Sequence, residues 1–140
     1  MALKSPVPGV YAGCRSIISS FGGEITQLAK INNERENEQM AAISLLIIDD
    51  DKELCEELAE SLRDEGYSVD GTSDPFKGEG LIRSGAYDIV LLDYKMPGLT
   101  GIDILKRLKA DGIKKRIIIV SGRPHVEQMI EDENLSDMVN

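Results

Sequence analysis

The sequence predicts an α/β fold in which a parallel sheet is covered by helices on both faces. Three observations carry this: short all-apolar runs such as Leu45-Leu46-Ile47-Ile48 and Ile117-Ile118-Ile119-Val120, amphipathic stretches between them, and polar residues where the runs end. A run apolar on both faces suits a strand held between two helix layers. Alternation of strand and helix then argues for parallel pairing through crossover connections. At 140 residues the chain can hold one ordinary core plus an appendage. Composition shifts near residue 40, dividing the chain into an N-terminal extension over 1–42, for which helix is one reading, and a regular domain over 43–140.

The elements of the regular domain follow in order. Leu45 to Ile48 is the first buried strand and stops at Asp49-Asp50-Asp51. From Lys52 to Arg63, Leu54, Leu58 and Leu62 form one helical stripe, and Glu53, Glu56, Glu57 and Glu60 make a solvated back. Gly66 is the expected stop. Tyr67-Ser68-Val69 reads as a short second strand, and Asp74-Pro75 as a cap followed by a first-turn proline. The helix to Ser84 is expected to be weak because Gly78 and Gly80 interrupt it, and Phe76 is expected in the core. Asp88 to Asp93 is the third strand, Thr100 to Ala110 a helix with Ile102, Leu105 and Leu108 on its stripe, and Arg116 to Ser121 the fourth strand. Pro124 to Asn134 reads as a last helix carried by Val126, Met129 and Ile130, with His125 a surface residue at its start.

Charge narrows the function. Sixteen Lys and Arg stand against 25 Asp and Glu, a formal net charge of -9 that repels phosphate backbones and anionic lipid. No nucleic acid and no membrane are expected as partners, and no window approaches the apolar length of a membrane span. Two cysteines, Cys14 and Cys55, make no disulfide framework or C-x-x-C metal spacing, so a reducing, cytoplasmic setting fits.

In a parallel sheet covered on both faces, ligands bind outside the carboxyl ends of the strands. Three of the four strands end there on Asp49 and Asp50, on Asp93, and on Ser121. Acids at such positions also cap helices, and Asp51 is read as a cap. Carboxylates gathered at one sheet mouth repel one another unless a cation holds them. Mg²⁺, which takes one or two carboxylates with waters and phosphate oxygens, suits Asp49, Asp50 and Asp93, with Ser121 beside a phosphoryl oxygen.

The segments Leu45-Leu46-Ile47-Ile48-Asp49-Asp50-Asp51 and Asp88 through Gly101, the latter with a full D-x-x-M-P-x-x-x-G motif, together with Ser121-Gly122, resemble the response-regulator receiver domain of the CheY-like superfamily. The resemblance covers residues 43 to about 135. It implies a flavodoxin-like, doubly wound sheet with strand order 2-1-3-4. It also implies Asp93 as phosphoacceptor, Asp49 and Asp50 with the backbone carbonyl of Lys95 as Mg²⁺ ligands, and Ser121 as a phosphoryl contact. The implied donor is a phosphohistidine on a sensor histidine kinase or a histidine phosphotransfer protein. The domain would then be a self-phosphorylating and self-dephosphorylating switch rather than a turnover enzyme. A degenerate receiver acting as a scaffold and a Mg²⁺-dependent phosphatase using Asp93 are the alternatives. Receivers continue into a fifth strand with an aromatic residue and Lys-Pro, then a fifth helix. This chain ends at Asn140, so its fifth strand is expected to be missing or replaced, with strand four left as an open edge.

Three readings compete for the extension. Ala12-Gly13-Cys14-Arg15-Ser16-Ile17-Ile18 and Gly22-Gly23-Glu24-Ile25 weakly resemble the end of a histidine-kinase ATP-binding domain, without its nucleotide motifs. Alternatively Ala2 to Val7 replaces strand five by permutation, the helix after Tyr11 replaces helix five, and Lys4 stands in for the family's lysine. The third reading is a helical segment that packs on the sheet or forms a homodimer.

Overall fold

The apolar runs pair side by side into one parallel sheet. The computed structural model describes the backbone of residues 10–12 and the whole of residues 42–140. Its strands are β1 (Val10–Ala12), β2 (Ser44–Ile48), β3 (Ser68–Thr72), β4 (Ile89–Asp93) and β5 (Arg116–Ser121). They lie in the order β1-β5-β4-β2-β3, and every pairing is parallel. The four strands of the regular domain thus take the expected 2-1-3-4 order, in a doubly wound α/β sheet. Helices α1 (Lys52–Asp64), α2 (Pro75–Ser84), α3 (Gly101–Ala110) and α4 (Val126–Asp132) follow the strands, and a short 3₁₀ turn spans Ser136–Met138.

Alternation along the strands divides the core into two layers. Leu45, Ile47, Ile89, Leu91, Ile118 and Val120 pack with Cys55, Leu58, Ala59 and Leu62 of α1. Leu46, Ile48, Val90, Leu92, Ile117 and Ile119 pack on the opposite face with Ile82, Leu105, Leu108, Val126 and Ile130 of the other three helices. Four successive β5 residues, Ile117 through Val120, are at most 4% exposed, as a strand covered on both faces requires.

Local signals set most boundaries. Asp51 caps α1 by accepting from the Leu54 amide, and Asp74 caps α2 by accepting from the amides of Phe76 and Lys77. Thr100 and Asp103 form a reciprocal capping box at α3. Gly66 adopts φ +98° just after α1, where a left-handed residue ends a helix cheaply. His125 is exposed at the start of α4 and makes no side-chain cap.

Several expectations need correction. Phe76 is 57% exposed, and Met129 is 41% exposed, so neither is core; α4 is carried by Val126 and Ile130. Helix α2 runs unbroken through Gly78 and Gly80. A Cβ on Gly78 would lie 2.7 to 2.9 Å from three carbons of Ile48, so this glycine lets helix and sheet approach closely. The second strand of the regular domain extends through Asp70 and Gly71 to Thr72 because β2 pairs with it along its whole length. The outer edge of β5 is not open: Val10–Ala12 pair with Ile119–Ser121, and the Asn140 amide donates to the Ile117 carbonyl at 2.9 Å. Val10–Ala12 therefore occupies the edge that the permutation reading assigned to Ala2 to Val7. Ala2 to Val7 with Lys4, Cys14, the helix after Tyr11 and the kinase-like motifs lie outside the described residues, save Ala12 itself.

Candidate phosphoacceptor site

The residues after β2 and β4 bring three carboxylates together. One oxygen from each of Asp49, Asp50 and Asp93 lies within 4.8 Å of the other two. Asp49 follows β2 and is 7% exposed; its amide donates to the Thr72 carbonyl of β3, and its carboxylate accepts from the Asp51 amide at 2.9 Å. Asp50 is exposed, and Asp93, the last residue of β4, is half-buried. Ser121 ends the neighbouring β5 and is 3% exposed. Its hydroxyl oxygen accepts from the Arg123 amide at 3.0 Å, which leaves its own proton free to donate.

The acids line a cleft of about 450 Å³ together with Lys95, Ser121, Gly122, Arg123 and the first turn of α1. Its electrostatics are unfavourable for three charges. Burial, followed by the negative charge of Asp49 and by Asp50, pushes Asp93 up to about 7, against a hydrogen bond from the Lys95 backbone. Burial also raises Asp49 to about 6, opposed by the Asp51 amide and reinforced by Asp50 and Asp51. Protons, or one compact cation, relieve such a cluster. Oxygen donors of this hardness and spacing fit a divalent ion such as Mg²⁺.

The loop after Asp93 is built for close packing. Met96 and Leu99 are 4% and 2% exposed and anchor it in the core. The Gly101 amide donates to the Tyr94 carbonyl at 3.0 Å, and a Cβ on Gly101 would sit 2.6 Å from the Asp93 carbonyl oxygen. Only glycine lets the start of α3 lie against the end of β4 in this way.

Comparison with known proteins agrees with this architecture. The family described as response regulator receiver domain matches residues 45–137. The chain belongs to the response regulator receiver domain family of two-component signalling. The receiver domain is similar to the transcriptional regulatory protein DltR of Streptococcus agalactiae serotype III (strain NEM316), with 38% identity over 79 residues, 56% of this chain and 35% of that protein. It is 32% identical to response regulator MprA of Mycobacterium sp. (strain KMS) over 88 residues, 63% of this chain and 38% of that protein. The match thus spans little more than a third of these curated relatives. Among solved structures, the Francisella response regulator 1452 receiver domain superposes with TM-score 0.61 and 28% identity, covering 69% of this chain and 81% of that one. Response regulator protein TrrA from Thermotoga maritima, solved in complex with Mg(2+)-BeF, superposes with TM-score 0.60 and 26% identity, covering 69% and 83%.

Asp49, Asp50, Asp93, Lys95 and Ser121, singled out in the sequence, all border the receiver domain's cleft. Arg123 was missed. It lines the same cleft, and its guanidinium lies 5.8 Å from the centre of the Tyr94 ring. Its place two residues beyond Ser121, in the same turn, was the available signal. Among the described residues, no helix is long and apolar enough to cross a membrane.

Proposed function

We propose that this receiver domain accepts a phosphoryl group on Asp93 from a phosphohistidine of a sensor kinase or histidine phosphotransfer protein. The observation that carries this reading is the convergence of the Asp49, Asp50 and Asp93 oxygens within 4.8 Å, with Ser121 on the adjacent strand end. One Asp93 carboxylate oxygen attacks phosphorus, the phosphorus–nitrogen bond to the imidazole breaks, and the imidazole leaves with the bonding pair and takes up a proton. The Ser121 hydroxyl donates a hydrogen bond to a phosphoryl oxygen. Asp49, Asp50, Asp93 and the carbonyl of Lys95 would hold Mg²⁺. Bound there, the ion supplies positive charge that keeps the carboxylates ionised and offsets charge on the transferring group. The TrrA structure, a relative solved with Mg(2+)-BeF, supports the choice of ion.

The acceptor must be ionised to attack, and burial beside Asp49 works against ionisation. A cation held among these residues would favour the ionised acceptor. After transfer, the new negative charge beside Ser121 alters the surface presented to a partner, the output of a switch.

Incubation with Mg²⁺ and a small acyl phosphate tests the reading by intact-protein mass. One phosphoryl increment is expected on the wild type and none on Asp93→Asn. No increment on the wild type would leave the scaffold reading in its place, an undiminished one on Asp93→Asn would overturn Asp93 as the acceptor, and turnover of an external phosphoester would favour the phosphatase reading.

A further inference from the structure

The edge of the sheet beside Ser121 is completed by two segments, Val10–Ala12 and Asn140. Val120 sends its carbonyl toward β4, where it accepts from the Tyr94 amide at 3.1 Å, whereas Ile117 sends its carbonyl the other way, to the Asn140 amide. Backbone groups alternate direction along a strand, so Ile119 and Ser121 face outward like Ile117. Val10–Ala12 lie opposite them, with Tyr11 in register with Val120. In a parallel ladder this places the Tyr11 amide against the Ile119 carbonyl and the Tyr11 carbonyl against the Ser121 amide.

The two segments run in series. Val139 is extended, at φ −115° and ψ 150°, and delivers Asn140 to Ile117; Val10 takes over at Ile119. Any peptide prolonging the path of Val139 and Asn140 would meet the same Ile119–Ser121 edge. It and Val10–Ala12 exclude each other.

We propose that the outer edge of β5 is an exchangeable strand-docking slot, held in this chain by its own Val10–Ala12, and that its occupant holds the backbone of Ser121. The slot suits an extended peptide because its recognition groups are main-chain donors and acceptors. Exchange follows from the shortness of the occupant, since a three-residue edge strand opens far more readily than the strands inside the sheet. The slot also reaches the candidate site, for its last rung pairs Ala12 with Ser121 and the Ser121 side chain lines the acidic cleft. The functional weight of that rung rests on the reading of Ser121 as a phosphoryl contact; occupancy of the slot does not.

Amide hydrogen exchange on the full 140-residue chain tests occupancy without any phosphoryl chemistry, so its failure is distinct from failure of phosphotransfer. Tyr11→Pro removes the donor aimed at Ile119 and is expected to speed exchange at the Ile119 and Ser121 amides by about tenfold or more. Val10→Pro alters an amide that faces away from β5 and is expected to change those rates less than about twofold. A synthetic peptide of residues 8–13, added in excess to Tyr11→Pro, is expected to restore the slow rates. Identical Ile119 and Ser121 rates in wild type and Tyr11→Pro, or equal acceleration by both prolines, would overturn the proposal. So would failure of the peptide to restore protection.

Discussion

Ile48 and Asp49 are neighbours, as are Leu92 and Asp93, yet the members of each pair stand in opposite relation to stability. Ile48 and Leu92 are fully buried in the layer that packs on α2, α3 and α4. Their transfer out of water is a principal source of folding free energy. Asp49 and Asp93 sit one peptide further along and hold carboxyl groups whose ionisation is opposed by burial and by neighbouring carboxylates, Asp50 and Asp51 for Asp49, and Asp49 and Asp50 for Asp93. The strand bodies stabilise the fold, while their ends carry a charge cluster that strains it. A cation bound among these carboxylates would relieve a cost that folding left in place.

Truncating the strand body should have the largest effect. Leu92→Ala is expected to lower the unfolding free energy by about 2 to 5 kcal/mol, through lost burial and the cavity left behind. Denaturant unfolding measures it, and a loss below 1 kcal/mol would mean that the core collapses around the gap.

Gly101→Ala probes the junction between body and site. Its Cβ would meet the Asp93 carbonyl oxygen at 2.6 Å and the Tyr94 Cα at 3.2 Å, both backbone atoms that yield only by moving β4 from α3. A cost of about 1 to 3 kcal/mol is expected in the same unfolding assay, with slower phosphoryl acceptance at Asp93. Unchanged stability and acceptance would show that the loop accommodates a methyl group. Thr100→Ala, which removes the capping box at the same helix start, should cost about 1 kcal/mol and leave acceptance nearly intact.

The smallest effect, and the one of opposite sign, belongs to the strand end. The folded carboxyls of Asp93 and Asp49 titrate near 7 and 6 against an ordinary 3.8, so the folded state binds protons more tightly than the unfolded state. Their contribution to stability is fully present below about pH 4 and is lost as pH rises through 6 and 7. Without divalent ion, Asp93→Asn should therefore be less sensitive to pH over that range than the wild type. The difference should be no more than on the order of 1 kcal/mol once solvent screening is counted. Saturating Mg²⁺ should stabilise the wild type more than Asp93→Asn at neutral pH. Parallel pH curves with equal Mg²⁺ responses would remove the strain from Asp93.

Much of this contrast was legible before folding was considered. Three apolar runs ending on Asp49, Asp93 and Ser121 announced both the parallel sheet and the edge at which its site lies. Asp51, Asp74 and Thr100 signalled helix starts through chemistry confined to the next three residues. Such signals are local, and local signals survive reading in one dimension. Glu79 shows where they fail: it lies in a glycine-interrupted stretch of ordinary polarity. The fold makes it 8% exposed and aims Arg83 and Arg107 at its two oxygens, at 2.8 and 3.1 Å. Phe76 shows the converse, an aromatic in a helical stripe left facing solvent.

By itself the sequence determined four of the five described strands, the helix starts at Asp51, Asp74 and Thr100, and the acidic trio, because periodicity, capping and turn chemistry act over a few residues. Tertiary structure decided what depends on contacts between distant segments. It set the pairing that extends β3 to Thr72, the approach that requires Gly78 and Gly101, the burial that raises Asp49 and Asp93, and the seating of Val10–Ala12 beside Ser121. Each arises from proximity in space between residues far apart in the chain.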